Sequence, residues 1–486
     1  MAATATRSVS FETSAPASVP VIPEDIEKLR IHMVGIGGCG MSGLASVLLH
    51  RGARVTGSDR SASRATERLA QRGISFSTQQ TAESLPGGTQ LVVISAAIPA
   101  DHAERLEAHR RGIPVIRYSQ LLGILMARYE GVAVAGTHGK STTTAWLAYV
   151  LREAGLDPSF VVGATVGQLG GGSGVGRGPH FVAEACEYDR SFLNLTPKVA
   201  VLLNIEEDHL DCYRDLAAIE YAFSQFARRV PSQGLVLVNG DDPRCVALAQ
   251  RLTLPVATFG LGAHNRWRAA ALALSGGCYA FDVFDEEQAL GRVELRIPGQ
   301  HNVYNALAAV AAAHRCGVAW ERIAHGLGTF RGADRRLERR GEVGGVPVLD
   351  DYAHHPTEIR ATLRAARERY RPKRLWCVFQ PHQHSRTRFL LADFAESLSQ
   401  ADEVIVPDIY FVRDSQRERE RVSAEDLVSR IRASGRAARY VSAFGDIVAL
   451  LAAESRPGDV LLTMGAGDIW KVADELVQRA GGDLPD

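Results

Sequence analysis

Residues 132–144 read VAVAGTHGKSTTT: an apolar run, then Gly136-Thr137-His138-Gly139-Lys140-Ser141, then a threonine-rich helix start at Thr142. The run 132–135 predicts a buried strand, and 142–152 predicts a helix. Between them the glycines let backbone N–H groups turn toward a polyphosphate. Lys140 adds a point charge for the β- and γ-phosphates, and the Ser141 hydroxyl suits Mg²⁺. The helix aims its N-terminus at the anion. The stretch departs from the full P-loop pattern at one place, since Val134 stands where the first glycine belongs. The competing reading, a glycine turn with a surface lysine, leaves the flanking strand and helix unexplained. The expectation is an ATP or GTP site, and a parallel α/β fold around it.

Outward from this stretch, the chain of 486 residues suggests about three domains. Lys+Arg and Asp+Glu both number 55, so the formal net charge is zero. That balance argues against nucleic-acid or anionic-membrane partners, which call for a basic excess. The seven cysteines are scattered, with no C-x-x-C, which fits free thiols in a reducing, cytoplasmic setting. Residues 1–28 are expected to form a disordered tail rather than a signal peptide. No apolar run reaches the roughly 18 residues of a membrane span.

Three α/β units are expected after the tail, over 29–128, 129–331 and 332–486. Strands are expected at 31–35, 54–57, 91–95 and 115–116 in the first. In the second they fall at 132–135, 181–183, 199–205 and 235–239, with a small antiparallel section over 270–298. The third has 346–349, 375–379, 403–406 and 460–464. Strands alternating with helices imply parallel sheets covered on both faces, with ligands at the carboxyl ends of the strands.

The first strand ends in Gly35-Ile36-Gly37-Gly38-Cys39-Gly40, a G-x-G-x-x-G, and Asp59 closes the next one. Alone, this fits NAD as well as any nucleotide. The short chain before the P-loop leaves room for one mononucleotide half, which favours a nucleoside diphosphate on a larger substrate. In the second unit Glu184 and Glu187 follow an apolar strand, as a Walker B acid does. Asn204-Ile205-Glu206-Glu207-Asp208-His209 ends the next strand, and His209 reads either as a metal contact or as a loop histidine. The third unit carries Asp350-Asp351-Tyr352-Ala353-His354-His355 and Gln380-Pro381-His382-Gln383-His384-Ser385-Arg386. A zinc site there is disfavoured, because no cysteine or ordered ligand helix accompanies the histidines. The arginines suit a carboxylate.

Together these motifs resemble the ATP-dependent Mur ligases of peptidoglycan synthesis. The carrying stretches are MVGIGGCGMSGLA (33–45), GTHGKSTTT (136–144), VAEACEYDRSFL (182–193), NIEEDHLD (204–211), GQHNVYNALAA (299–309), DDYAHHPTEI (350–359), FQPHQHSRT (379–387) and MGAGDI (464–469). The set favours the branch that adds L-alanine first. The resemblance implies three domains: a Rossmann-like UDP-sugar domain, a P-loop ATPase and a Rossmann-like amino-acid domain. It implies ATP and Mg²⁺ (or Mn²⁺), with UDP-N-acetylmuramate and L-alanine as substrates, joined through an acyl phosphate by a monomer or homodimer. A peptide-adding relative using the same UDP-sugar is the alternative. By resemblance, Gly35, Gly37, Gly38, Gly40, Asp59 and Ser95 would hold the UDP-sugar. Gly136 to Thr142, Asn302, Asn305, Arg335 or Arg336, and Asp351 would hold ATP. Ser141, Glu184 and His209 would sit at metal. Tyr352, His354, His382 and Arg386 would surround L-alanine and the carboxylate, with Lys140, Glu184, His209 and Arg386 carrying the chemistry. Gln383 stands where many members have arginine, and Cys186-Glu187-Tyr188 replaces a commoner Asp-Glu-Ser run.

Overall fold

The P-loop strand, Glu130–Ala135, lies inside a ten-stranded sheet of the computed structural model, which describes residues 25–412 and 414–482. Val199–Leu202 pairs with it on one side and His180–Glu184 on the other, both parallel. Apart from ionisable residues at two of their starts and one end, the three strands are apolar and almost wholly buried, as expected of a parallel sheet covered on both faces. Beyond Val199–Leu202 the sheet continues through Leu235–Asn239 and Val256–Gly260. Beyond His180–Glu184 it runs through Ser159–Val161 to Ser173–Gly174. The helices Lys140–Glu153 and His301–Arg315 are buried along most of their length. The run Ala306–Ala313 is small enough to let that second helix pack tightly into the central core, where Trp146 stacks on Phe330 at 5.1 Å.

The antiparallel section expected over 270–298 is larger than a separate patch. Trp267–Ser275, Cys278–Asp285 and Gln288–Pro298 form a meander, and its first strand pairs parallel to Val256–Gly260. The meander therefore extends the nucleotide sheet. Its inward residues, Phe281, Val283, Val293 and Leu295, belong to the same core.

A six-stranded sheet follows, ordered Glu338–Val343, Val346–Asp351, Asp459–Met464, Arg374–Phe379, Glu403–Val406 and Ala437–Tyr440. Its first pair is an antiparallel hairpin turning on Gly344 and Gly345, with φ of +56° and +81°. Two consecutive positive φ values suit a tight hairpin and strain any side chain. The other pairs are parallel. Asp350 and Asp351, read from sequence as loop, instead end the second strand. Arg335, Thr463 and the N–H groups of Leu337 and Ala353 satisfy their buried oxygens there.

The chain divides into two compact units, Met1–Leu121 and Leu122–Asp486. In the first, five parallel strands are ordered Ser75–Ser77, Arg54–Ser58, Arg30–Val34, Leu91–Ile94, Val115–Arg117. The order is that of five strands of a dinucleotide fold, so the single half expected from chain length was too small an estimate. Most of the expected tail, residues 1–24, lies outside the described residues; Ile26–Lys28 forms a 3₁₀ turn with Ile26 fully buried. Among the described residues, no helix is long and apolar enough to cross a membrane.

Candidate active site

The P-loop is held from within the sheet. Asn204, at the end of the neighbouring strand, accepts the His138 N–H at 2.8 Å and donates to the His138 carbonyl at 3.1 Å. Gly139 opens the helix with φ +83°, and a Cβ there would lie 2.5 Å from Asn305 Oδ1. Only glycine lets the helix start and Asn305 approach this closely. The helix begins at Lys140, two residues before its predicted start. Lys140 Nζ donates to the carbonyls of Gly136 (2.6 Å) and Thr137 (2.9 Å) and to Glu187 Oε1 (2.9 Å). Burial opposes its charge, but Glu187 and the other acids nearby outweigh that, so the ammonium titrates above its ordinary range.

Glu187, read beside Glu184 as a Walker B-type acid but given no role by the resemblance, is the acid that meets the P-loop lysine. It lies between Lys140 and His209, whose Nε2 is 3.6 Å from Oε1. Its second oxygen, Oε2, is buried with no hydrogen-bond partner. Burial works against the carboxylate, yet Lys140 and then His209 hold it below its usual range. Glu184 stands beside Val134 in the sheet register and accepts the Gly163 N–H at 2.8 Å. Ser141 Oγ accepts a long hydrogen bond, 3.4 Å, from Arg336. The orphaned Glu187 oxygen offers a hard donor of the kind a divalent cation takes.

A cavity of about 400 Å³ opens next to the loop, lined by His138, Gly139 and Thr142 on one side and by Asn302, Asn305 and Asp351 on others. Asn302 donates to the Pro298 carbonyl at 2.7 Å, and Asn305 donates to Asn302 at 2.9 Å, which fixes both amides. Of the two adjacent arginines, Arg336 lines this cavity. Arg335 is not among its lining residues. Its guanidinium is spent within the six-stranded sheet's end, on Asp350 (2.8 Å) and the carbonyls of Gly467 and Gly465 (3.2 and 2.7 Å). The buried Asp351 carboxyl is raised to about 6, burial prevailing over the neighbouring Arg336.

Facing the loop are side chains from the six-stranded sheet. Tyr352 lies under the Arg335 and Arg336 guanidinium groups, 5.1 and 5.3 Å from its ring centroid. Its ring meets His354 edge-on at 5.4 Å, and His354 lies 6.0 Å from His382. Burial, against the pull of Glu358, lowers His354 to about 4, so this imidazole is neutral at pH 7. Arg386 donates to Asp208, and its Nη1 sits 3.4 Å from His382 Nδ1. Tyr352, His354, His382 and Arg386 are thus brought together. Glu358 joins the two halves: it accepts the His354 N–H at 3.0 Å and pairs with His138 Nδ1 at 3.1 Å. Glu358 sits in the quoted DDYAHHPTEI motif and Asp208 in NIEEDHLD. What the sequence could not give was their partners.

In the N-terminal unit the glycine loop precedes the helix Cys39–His50, and Asp59 Oδ2 accepts the Gly37 N–H at 2.8 Å. Ser95 Oγ accepts the Ala97 N–H at 3.1 Å and lies close against Gly35. Tyr118 covers Gly40 so closely that a Cβ there would sit 2.5 Å from its hydroxyl. Gly35, Gly37, Asp59 and Ser95 thus gather at the carboxyl ends of the strands Arg30–Val34, Arg54–Ser58 and Leu91–Ile94.

Comparison with known proteins matches three consecutive family models. They are the Mur ligase family, catalytic domain (residues 30–130), the Mur ligase middle domain (134–313) and the Mur ligase, glutamate ligase domain (335–467). A UDP-N-acetylmuramate–L-alanine ligase of Caldanaerobacter subterraneus subsp. tengcongensis is 43% identical, over 94% of this chain and 99% of the relative. One of the same name from Salinibacter ruber is 45% identical, over 93% and 96%. The crystal structure of a UDP-N-acetylmuramate–alanine ligase from Thermotoga maritima superposes with a TM-score of 0.79 at 28% identity, covering 93% of this chain and 99% of that one. A murein peptide ligase from Psychrobacter arcticus gives 0.71 at 26%, covering 94% and 100%. With its three sheets matched in order and its P-loop, acid and arginine motifs in place, the chain belongs to the Mur ligase family.

Proposed function

We infer that this chain is an ATP-dependent ligase that joins L-alanine to the lactyl carboxylate of UDP-N-acetylmuramate through an acyl phosphate. The relatives that carry this name align along almost its whole length at 41–45% identity, and the solved structure of that name superposes with a TM-score of 0.79, against 0.71 for the peptide ligase that matches over a similar length. The observation that supports the reading most is the meeting of Lys140, Glu187 and His209 with Arg386, Tyr352 and His354 within one compact unit.

In this reading the glycine loop of the N-terminal unit, with Asp59 and Ser95, holds the uridine diphosphate. The cavity beside Asn302 and Asn305 takes the nucleoside of ATP, and Gly136 to Thr142 take its phosphates. Lys140 leaves the Gly136 and Thr137 carbonyls for the γ-phosphate. Ser141, Glu184, Glu187 and His209 would hold Mg²⁺, which when bound spreads the charge of the transferring phosphoryl group. The sugar's carboxylate is a poor electrophile. Its oxygen attacks the γ-phosphorus, ADP leaves, and the mixed anhydride so formed carries phosphate as leaving group. Lys140 and the loop N–H groups stabilise the charge that develops. The alanine amine, set by Tyr352, His354, His382 and the free face of Arg386, attacks the acyl carbon. Phosphate departs and an amide remains. The buried His382 and Arg386 help to keep water from the anhydride.

The test is phosphate release from ATP with UDP-N-acetylmuramate, comparing L-Ala, Gly, L-Ser and a tripeptide. Turnover that is fastest with L-Ala and needs the UDP-sugar is expected. Turnover with tripeptide alone would assign the peptide-adding activity.

A further inference from the structure

Three segments far apart in sequence place His138, Glu206 and His355 together. His138 belongs to the P-loop, Glu206 follows the strand Val199–Leu202, and His355 caps the helix Pro356–Tyr370. One ligand atom from each lies within 4.8 Å of the others. His138 Nε2 is 3.5 Å from Glu206 Oε2, His355 Nδ1 is 3.9 Å from the same oxygen, and the two rings are 4.7 Å apart. Donors bound at about 2.0 Å around a tetrahedral ion lie about 3.3 Å from one another. The observed spacing thus needs only a small inward movement.

The outer contacts fix the rings for this role. The Nδ1 of His138 faces Glu358 Oε1 at 3.1 Å, and its Nε2 is buried with no hydrogen-bond partner, facing Glu206. The Nε2 of His355 donates to the Glu207 carbonyl at 3.2 Å. Its Nδ1 accepts the Thr357 N–H at 3.3 Å, a long helix-capping contact that an ion at Nδ1 would displace. The Thr357 hydroxyl donates to Glu206 Oε2 at 2.6 Å and holds that carboxylate. A ring whose far nitrogen donates to a carboxylate or carbonyl, leaving the near one as acceptor, is the arrangement found around metal-ligating histidines.

We propose that His138, Glu206 and His355 bind a divalent transition-metal ion of borderline softness, Zn²⁺ or Co²⁺ in type, at a position separate from that of the catalytic Mg²⁺. Two imidazoles and one carboxylate suit such an ion better than Mg²⁺, which prefers oxygen donors. The ion ties the P-loop to the segment carrying Tyr352 and His354, so it stabilises the contact between the nucleotide and alanine sides.

The test uses the untagged full chain, stripped with chelator and titrated with Co²⁺ while its visible ligand-field bands are followed, then with Zn²⁺ in competition. The His209→Ala background removes a ligand of the Mg²⁺ position. A single site is expected that survives His209→Ala and weakens about tenfold or more in both His355→Gln and Glu206→Gln. Zn²⁺ should raise the melting temperature of the wild type and not of either variant. The metal-free melts of the two variants show whether each is folded, and each variant stands as control for the other. Binding unchanged in both, binding lost with His209→Ala alone, or no Co²⁺ spectrum at all would overturn the proposal.

Discussion

Arg386 sets both Nε and Nη2 on one oxygen of Asp208, at 3.1 and 2.7 Å, with both side chains 7% exposed. Asp208 comes from the loop after a strand of the nucleotide sheet, and Arg386 from the helix His384–Phe389 at the end of the six-stranded sheet. The guanidinium expected to take a substrate carboxylate is therefore already paired on one edge. What it offers a ligand is Nη1, on the His382 side.

Removing one partner of a buried ion pair leaves the other uncompensated and costs about 3–5 kcal/mol. Arg386→Ala should therefore lower stability by that order and also raise the KM for L-alanine or the UDP-sugar. Adding Asp208→Asn should restore part of the stability but none of the substrate affinity. Urea unfolding beside steady-state kinetics separates the two effects. An Arg386→Ala chain that unfolds like wild type would show that the pair contributes nothing to the fold.

The same pair sets an acid limit. Burial works against the Asp208 carboxylate, but Arg386 and then His209 hold it far below its usual range. A depressed carboxylate contributes stability that is complete above its unfolded value of about 3.9 and is lost as pH falls below it. Melting temperature should thus drop more steeply below about pH 4 in the wild type than in Asp208→Asn. Parallel acid profiles would place the sensitivity in other groups.

Lys140 tests the phosphate cradle. Lys140→Ala should lower kcat by about 10²-fold or more, the scale of one lost charge contact in the transition state. The loss leaves Glu187 buried without its cation, so Lys140→Ala should also be less stable than Lys140→Ala/Glu187→Gln. Turnover near normal in a folded Lys140→Ala chain would remove the lysine from the chemistry.

Where the sequence was legible, local pattern and tertiary role agreed. The run expected as a strand over 199–205 is one over Val199–Leu202, ending before the Asn204 loop, the run 235–239 is a strand, and the glycines of the P-loop mark a strand–helix turn. The short strands Ser75–Ser77, Glu338–Val343 and Ala437–Tyr440 went unread, because they lie at or near sheet edges with mixed burial and show no clean alternation. Asp350 and Asp351 look like loop residues because two carboxylates are costly inside a sheet. Arg335 and the Leu337 and Ala353 N–H groups remove that cost, and all lie outside the strand. Glu187 was visible, but its role depends on which of two nearby carboxylates meets Lys140, a question of side-chain direction. His138 and Glu358 stand 220 residues apart, and no spacing rule joins them.

The N-terminal glycine loop should bind a UDP-sugar and not NADH. Its five-strand order alone would allow a dinucleotide, so the family assignment carries this expectation. Calorimetry on the full chain should give heat with UDP-N-acetylmuramate and none with NADH. Asp59→Ala frees the Gly37 N–H and should weaken the sugar nucleotide. Micromolar NADH binding without a UDP response would reverse the assignment.

Gln383 borders the same small cleft as Asp208 and Arg386. It is buried, its amide nitrogen has no hydrogen-bond partner, and its backbone already holds φ +69° at the start of the helix. An arginine there would inherit that backbone unchanged and bring a second guanidinium to the cleft. Arg386 is the one arginine lining this cleft among the described residues, so Arg386→Lys should lose the forked grip on a carboxylate and raise KM sharply. Gln383→Arg should then recover part of the loss, while doing little in the wild-type background, where Asp208 is already answered. Residues sharing one ligand depart from additivity by about 0.5–3 kcal/mol, which a double-mutant cycle on kcat/KM resolves. If the two substitutions add strictly, positions 383 and 386 do not serve the same carboxylate, and Arg386 acts on the substrate alone.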